Sequence, residues 1–161
     1  MTTGTAITES EIRSAQDAWA EGILAIRRTF VEGGDHVAAA KAFIASHYAY
    51  DLGTVLFKPT LASERQFRLD AEGALSYFVG GNEHYPEDRG FAILPWTAIR
   101  FAPAGVLCSD GYAVSMGNYF LTNETGTELK VEFTIGFIRD DEGKLRITLH
   151  HSSVPYTPLG G

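Results

Sequence analysis

The chain has almost nothing with which to cross-link itself. Cys108 is the single cysteine in 161 residues, which excludes an intramolecular disulfide framework and zinc-ribbon spacing. It lies between Leu107 and Ser109 on an expected strand and reads as a core or edge residue. Basic charge is also scarce: 13 Lys and Arg stand against 20 Asp and Glu, a formal net charge of −7. Nucleic acid, whose phosphates need a basic surface, is disfavoured as a partner. No apolar run approaches the roughly 20 residues of a membrane span. Residues 1–6 lack a basic segment followed by an apolar core, so no secretory signal is expected and a cytoplasmic location is. Metal-ligand spacing is missing too. The histidines are His36, His47, His84, His150 and His151, with no HxH or HExxH among them. Asn82, Glu83 and His84 near Glu87 and Asp88 read as a solvated acidic loop. Gly80-Gly81 has no phosphate-loop context, and no nucleophile elbow is present. Neither a metal nor another cofactor is expected.

What is there begins with helices. Thr8-Glu-Ser-Glu11 has capping-box spacing. Ile12, Ala15, Trp19, Ile23, Ile26 and Phe30 then recur at steps of three or four, one stripe of a long helix. Gly33-Gly34 ends it, and Asp35 caps a second helix with Val37, Ala40, Ile44 and His47 on one face. Residues 53–60 read as a strand up to Pro59, which belongs at an edge or an end. A short helix follows over 70–79, and 82–90 form a polar loop. Strands are expected near 96–102, 105–108, 111–122, 127–139 and 144–154, separated by turn-forming runs. Helices followed by a long antiparallel sheet make an α+β domain. One domain over 1–161 is expected, with 1–7 and 157–161 as flexible tails. Curling the sheet around the helices buries both layers and leaves a pocket at the open end.

Period-two alternation assigns side chains to faces. Leu145, Ile147, Leu149, His151 and Ser153 form one set of the last strand; Arg146, Thr148, His150 and Ser152 form the other. The first set begins apolar, so it is expected to face inward and to bring His151 and Ser153 to the pocket rim. No glycine within His150–Ser153 suggests a bulge that would reverse this. Val131, Phe133, Ile135 and Phe137 are expected inside on the neighbouring strand, with Phe133, Ile135 and Phe137 as an apolar floor. A histidine at the end of a buried strand is also, commonly, a hydrogen-bonded structural group.

Six segments occur in order: VLFKPT (55–60), ALSYFVGG (74–81), GFAILPW (90–96), MGNYF (116–120), VEFTIGF (131–137) and HHSSVPY (150–156). Together they resemble the iota class of carbonic anhydrases, which look like the association domain of calcium/calmodulin-dependent kinase and belong to the NTF2-like cones. The resemblance spans about residues 10–157. It implies reversible hydration of carbon dioxide to bicarbonate, and in the metal-free form of that class a pocket carrying Thr, Tyr, His and Ser. Those match Thr60 in KPT, Tyr77 in SYFVGG, and His151 and Ser153 in HHSS.

Two rival readings stand beside it. One is an isomerase or dehydratase of the same cone acting on a larger apolar substrate; the inward faces carry no Asp or Glu to serve as its base. The other is a non-enzymatic association domain, with Tyr112, Tyr119 and outward residues of the long strands as its interface. A homodimer or higher homo-oligomer is expected in any case, because the outward sheet face includes apolar and aromatic members.

Overall fold

The capping box is formed. Glu11 donates its N–H to the Thr8 hydroxyl at 3.1 Å, and the Glu11 carboxylate accepts the Thr8 N–H at 3.2 Å. Helix α1 (Glu9–Val31) starts there in a computed structural model that describes residues 6–159. Its buried face is Ile12, Gln16, Trp19, Ala20, Ile23 and Ile26; Phe30, at the end of the expected stripe, is exposed. Asp35 accepts from the Ala38 N–H and opens α2 (His36–His47). Asp70 does the same through Gly73 for α3 (Ala71–Val79), which Gly80 ends at φ 70°.

The sheet contains β1 (Leu56–Lys58), β2 (Trp96–Cys108), β3 (Tyr112–Asn123), β4 (Glu128–Arg139) and β5 (Leu145–Ser153), in spatial order β1-β5-β4-β3-β2. β2 to β5 form the expected antiparallel meander. β1 corrects the wholly antiparallel expectation: it pairs parallel to β5, Leu56 opposite Leu149 and Lys58 opposite His151. The helices lie on one face of this mixed sheet, α1 against α2 and β2, and α2 against α3. This is the expected α+β cone. Pro59 follows the edge strand β1, where its missing N–H costs no ladder bond.

The two strands expected over 96–102 and 105–108 are one. Pro103 pairs with Gly117 and Gly105 with Met116, so Ala104 is an extra residue, a bulge within β2. A Cβ on Gly117 would come within 2.6–2.7 Å of backbone atoms of Ala102, Pro103 and Ala104, so the partner strand needs glycine there. Residues 1–5 and 160–161 of the expected tails lie outside the described residues. Ile7, also expected in a tail, is buried, and its N–H donates to the Ser109 carbonyl at 3.3 Å.

Candidate active site

Thr148 decides which side chains of β5 enter the core. Ile147 pairs with Phe137 and Leu149 with Gly136, so two steps of β5 answer one of β4 and Thr148 bulges. Before the bulge Leu145 and Ile147 are inside; after it His150 and Ser152 are, at 2% and 1% exposure. The expectation for His151 and Ser153 is corrected by this shift. His151 is exposed, Ser153 is half-buried, and both lie on the outer face beside Met116, Glu132 and Thr134. Ser153 donates there to the Glu132 carboxylate at 3.2 Å. Arg146, expected outside, is also buried, donating to the Tyr48 carbonyl and pairing with Asp51 and Asp140.

His150 and Ser152 reach a narrow, partly open cavity between the helices and the sheet. Its apolar wall is Trp19 from α1, Phe57 from β1, Phe78 from α3 and Phe91, with Pro59 beside them. Its polar side is Thr60, Tyr77, Tyr119, His150 and Ser152. Thr60 and Tyr77 thus both line this cavity. Phe133, Ile135 and Phe137 do point inward and are buried, but none of them lines this cavity. Phe133 packs one layer behind, against the rings of Tyr119 and Phe101 at 5.8 and 5.2 Å.

Tyr119 is the residue that the alternation argument passed over. Expected on an interface, it is 1% exposed and inside. Tyr112 and Tyr119 are seven positions apart on one strand, an odd number, so they cannot share a face of a regular strand. That signal was available from spacing alone.

The polar side chains form a continuous chain. Ser152 Oγ lies 2.5 Å from Thr60 Oγ1 and 2.6 Å from the Tyr119 hydroxyl. Thr60 is also 3.4 Å from the Tyr119 hydroxyl. Tyr77 accepts the Leu61 N–H at 3.2 Å and interacts with Thr60. On the other wall, Trp19 Nε1–H donates to the Tyr48 hydroxyl at 3.1 Å, which lies 2.9 Å from His150 Nδ1. His150 Nε2 is the one buried side-chain polar atom with no hydrogen-bond partner among the described residues. Such an orphan is uncommon and calls for an explanation.

Burial sets the electrostatics. It lowers His150 to about 3, with the neighbouring His151 adding to the effect. Burial likewise pushes the hydroxyls of Tyr77 and Tyr119 upward. All three groups are thus held neutral near pH 7. Among the described residues no carboxylate lines the cavity, and no group of three His, Cys, Asp or Glu side chains is placed to hold a metal ion. In the acidic loop, Glu87 accepts backbone N–H groups of Ser63, Glu64 and Arg65. Asp88 forms a buried bidentate pair with Arg68, both bonds at 2.7 Å. Ser76, next to Tyr77, donates to the same Asp88 carboxylate at 2.5 Å. This pair clamps the loop to α3 and so braces one wall of the cavity.

A solved cyanobacterial structure described as the iota-carbonic anhydrase complexed with bicarbonate is similar over 95% of both chains, at 44% identity and a TM-score of 0.91. A metal-independent carbonic anhydrase of Nostoc sp. is 46% identical over 154 residues, covering 94% of this chain and 75% of that one. A putative calcium/calmodulin-dependent protein kinase II association domain from Xanthomonas campestris is 21% identical at a TM-score of 0.55, covering 92% of this chain and 88% of that one. It shares the fold alone. The sequence model of the family described as metal-independent carbonic anhydrase matches residues 10–154. Through that match the chain belongs to the metal-independent carbonic anhydrases.

Proposed function

We propose that the cavity between α1, α3 and β5 hydrates carbon dioxide to bicarbonate reversibly and without a metal, and that Thr60, Tyr77, Tyr119, His150 and Ser152 carry the chemistry. The observation that supports this most is the pairing of an aromatic wall with a chain of linked neutral hydroxyls in one cavity. Carbon dioxide is small and apolar and suits the wall; water suits the hydroxyls. An isomerase or dehydratase would need a base for proton abstraction, and among the described residues no carboxylate lines the cavity. A groove of about 500 Å³ between α2 and α3 is larger, but it holds none of these hydroxyls.

The chain of hydroxyls permits a relay in place of a strong base. Water attacks the carbon, and a new C–O bond forms as the π pair of one C=O bond moves to its oxygen. The attacking water passes a proton to one hydroxyl of the Thr60–Ser152–Tyr119 chain. That chain passes a proton of its own to the carbon dioxide oxygen that gains charge. The product is carbonic acid, which releases one proton to solvent and leaves as bicarbonate. Every hydroxyl ends as it began, and no buried group carries a net charge, which burial would penalise. Holding both reactants in one orientation supplies a further large part of the rate.

The same reading extends to a homodimer through the outer sheet face and to a cytoplasmic setting, where an exposed free cysteine such as Cys108 stays reduced. Cell fractionation tests the second point. The test of the reaction is stopped-flow hydration on chelator-treated, metal-analysed protein. Turnover above buffer is expected without stoichiometric metal. Ser152→Ala and His150→Ala lower it by about 10²–10⁴-fold, the usual contribution of a proton-transferring or orienting group. Ser153→Ala and His151→Ala stay close to the parent. The reverse pairing, or a parent protein without hydration activity, overturns the reading.

A further inference from the structure

We infer that Tyr48 is a positioning residue that holds His150 with its proton on Nε2, so that the imidazole donates to the reacting oxygen and does not take a proton from water. The inference rests on the reading of this cavity as the hydration site.

The direction of each hydrogen bond follows from what each atom can do. An indole N–H only donates. Trp19 Nε1–H therefore occupies one lone pair of the Tyr48 hydroxyl, at 3.1 Å. The phenol proton still needs an acceptor, and His150 Nδ1, at 2.9 Å, is the atom in reach. The opposite arrangement, with Nδ1–H donating to Tyr48, would strand the phenol proton at a side chain that is 0% exposed. A stranded buried donor is expensive. Nδ1 thus accepts. A neutral imidazole has one N–H, and it is then on Nε2, the atom that has no partner among the described residues. The neutral ring is the form present near pH 7, since burial lowers His150 to about 3.

The surroundings hold the ring plane as firmly as the tautomer. Phe57 stacks on it at 5.0 Å and 19°, and Trp19 meets it edge-on at 5.7 Å and 81°. Tyr48 is itself anchored: it bridges to Ile147, and the next residue, Ala49, donates its N–H to the Ile147 carbonyl at 2.8 Å. A preoriented donor at Nε2 stabilises the negative charge that grows on a carbon dioxide oxygen as water adds. A neutral imidazole can serve as such a donor. This assigns the proton transfer to the hydroxyl chain and the charge stabilisation to His150.

The tautomer is read directly by ¹⁵N NMR of the histidine ring nitrogens at pH 7, with no need for turnover. The parent protein is expected to show a protonated Nε2 and an unprotonated Nδ1 at His150. In Tyr48→Phe the Nδ1-protonated form appears as well. Its kcat for hydration falls by about 10- to 100-fold, less than the roughly 10²–10³ for removing an oriented donor outright, because the imidazole itself remains, while KM changes little. His150→Gln, which keeps an N–H but is no base, retains more turnover than His150→Ala. The inference is overturned by a proton on Nδ1 in the parent, by Tyr48→Phe keeping both the parent tautomer and the parent kcat, or by Gln and Ala being equally inactive at 150. A parent protein that shows the Nε2 proton but no hydration would sink the functional reading of the cavity and leave the tautomer standing.

Discussion

His150 and His151 are neighbours in the chain and opposites in environment: one is 2% exposed among aromatic rings, the other lies open on the outer face. Chemistry at this scale is set by burial more than by residue type. His150 is held at about 3 by burial, and His47 at about 4 by burial together with Lys144 and Arg146. Both lie below the ordinary 6.5 of an unfolded chain. As pH falls through 6.5 the unfolded chain takes up protons that the folded chain refuses, so stability present above 6.5 is lost progressively towards pH 3–4. His150 alone should cost about 2 kcal/mol between pH 7 and pH 5, at roughly 1.4 kcal/mol per unit of pH. The acidic groups Glu11 and Glu87, lowered to about 2, act only below about 4.5 and stay out of this window. Denaturant unfolding at pH 7 and pH 5 measures the loss, and His150→Gln should remove much of it. Equal stability at the two pH values would contradict the burial argument.

At the scale of elements, two bulges share one device. Ala104 in β2 bulges opposite Gly117, and Thr148 in β5 bulges beside Gly136. In each case the glycine sits on the partner strand where a side chain would collide. On Gly136 a Cβ would overlap the Tyr112 hydroxyl and press the Leu149 Cβ at 3.0 Å. The glycine at the β5 bulge is thus Gly136 in VEFTIGF, on the partner strand, and not a residue of β5. Gly136→Ala is expected to destabilise the fold by about 1–3 kcal/mol, the usual penalty for overpacking. Tyr112→Phe in that background should recover part of the loss by removing the hydroxyl. Denaturation midpoints of the single and double variants test this, and an unchanged midpoint for Gly136→Ala would show that the close approach costs nothing.

Across the whole molecule, the sheet has a concave life and an outer one. Its inner face meets the helices and builds the cavity. Its outer face leaves Leu107 at 76% exposure, Met116 at 58% and Tyr112 at 38%. An apolar set of this kind across two neighbouring strands, β2 and β3, suits a second copy better than water. Light scattering at micromolar concentration should find a dimer, and Met116→Glu should weaken it by placing a charge in its centre. A monomer throughout that range would leave the outer face without the role proposed for it.

The chain's own order of residues determined the parts whose causes are local. Thr8, Asp35 and Asp70 cap helices because each hydroxyl or carboxylate meets an N–H three residues on. Alternation placed Val131, Phe133 and Ile135 inside because β4 runs without a bulge through that stretch. The segments KPT and SYFVGG, read as a family resemblance, point to Thr60 and Tyr77, and both line the cavity. The tertiary structure decided the rest. One extra residue, Thr148, exchanges the faces of His150 and His151, and it lies opposite the register shift at Gly136 of the partner strand, which no reading within β5 contains. The relay from Trp19 through Tyr48 to His150 joins α1, the end of α2 and β5, over separations of 29 and 102 residues. Ser152 meets Thr60 across 92 and Tyr119 across 33. Contacts at those distances have no period in the sequence, because each depends on where whole elements come to rest against one another.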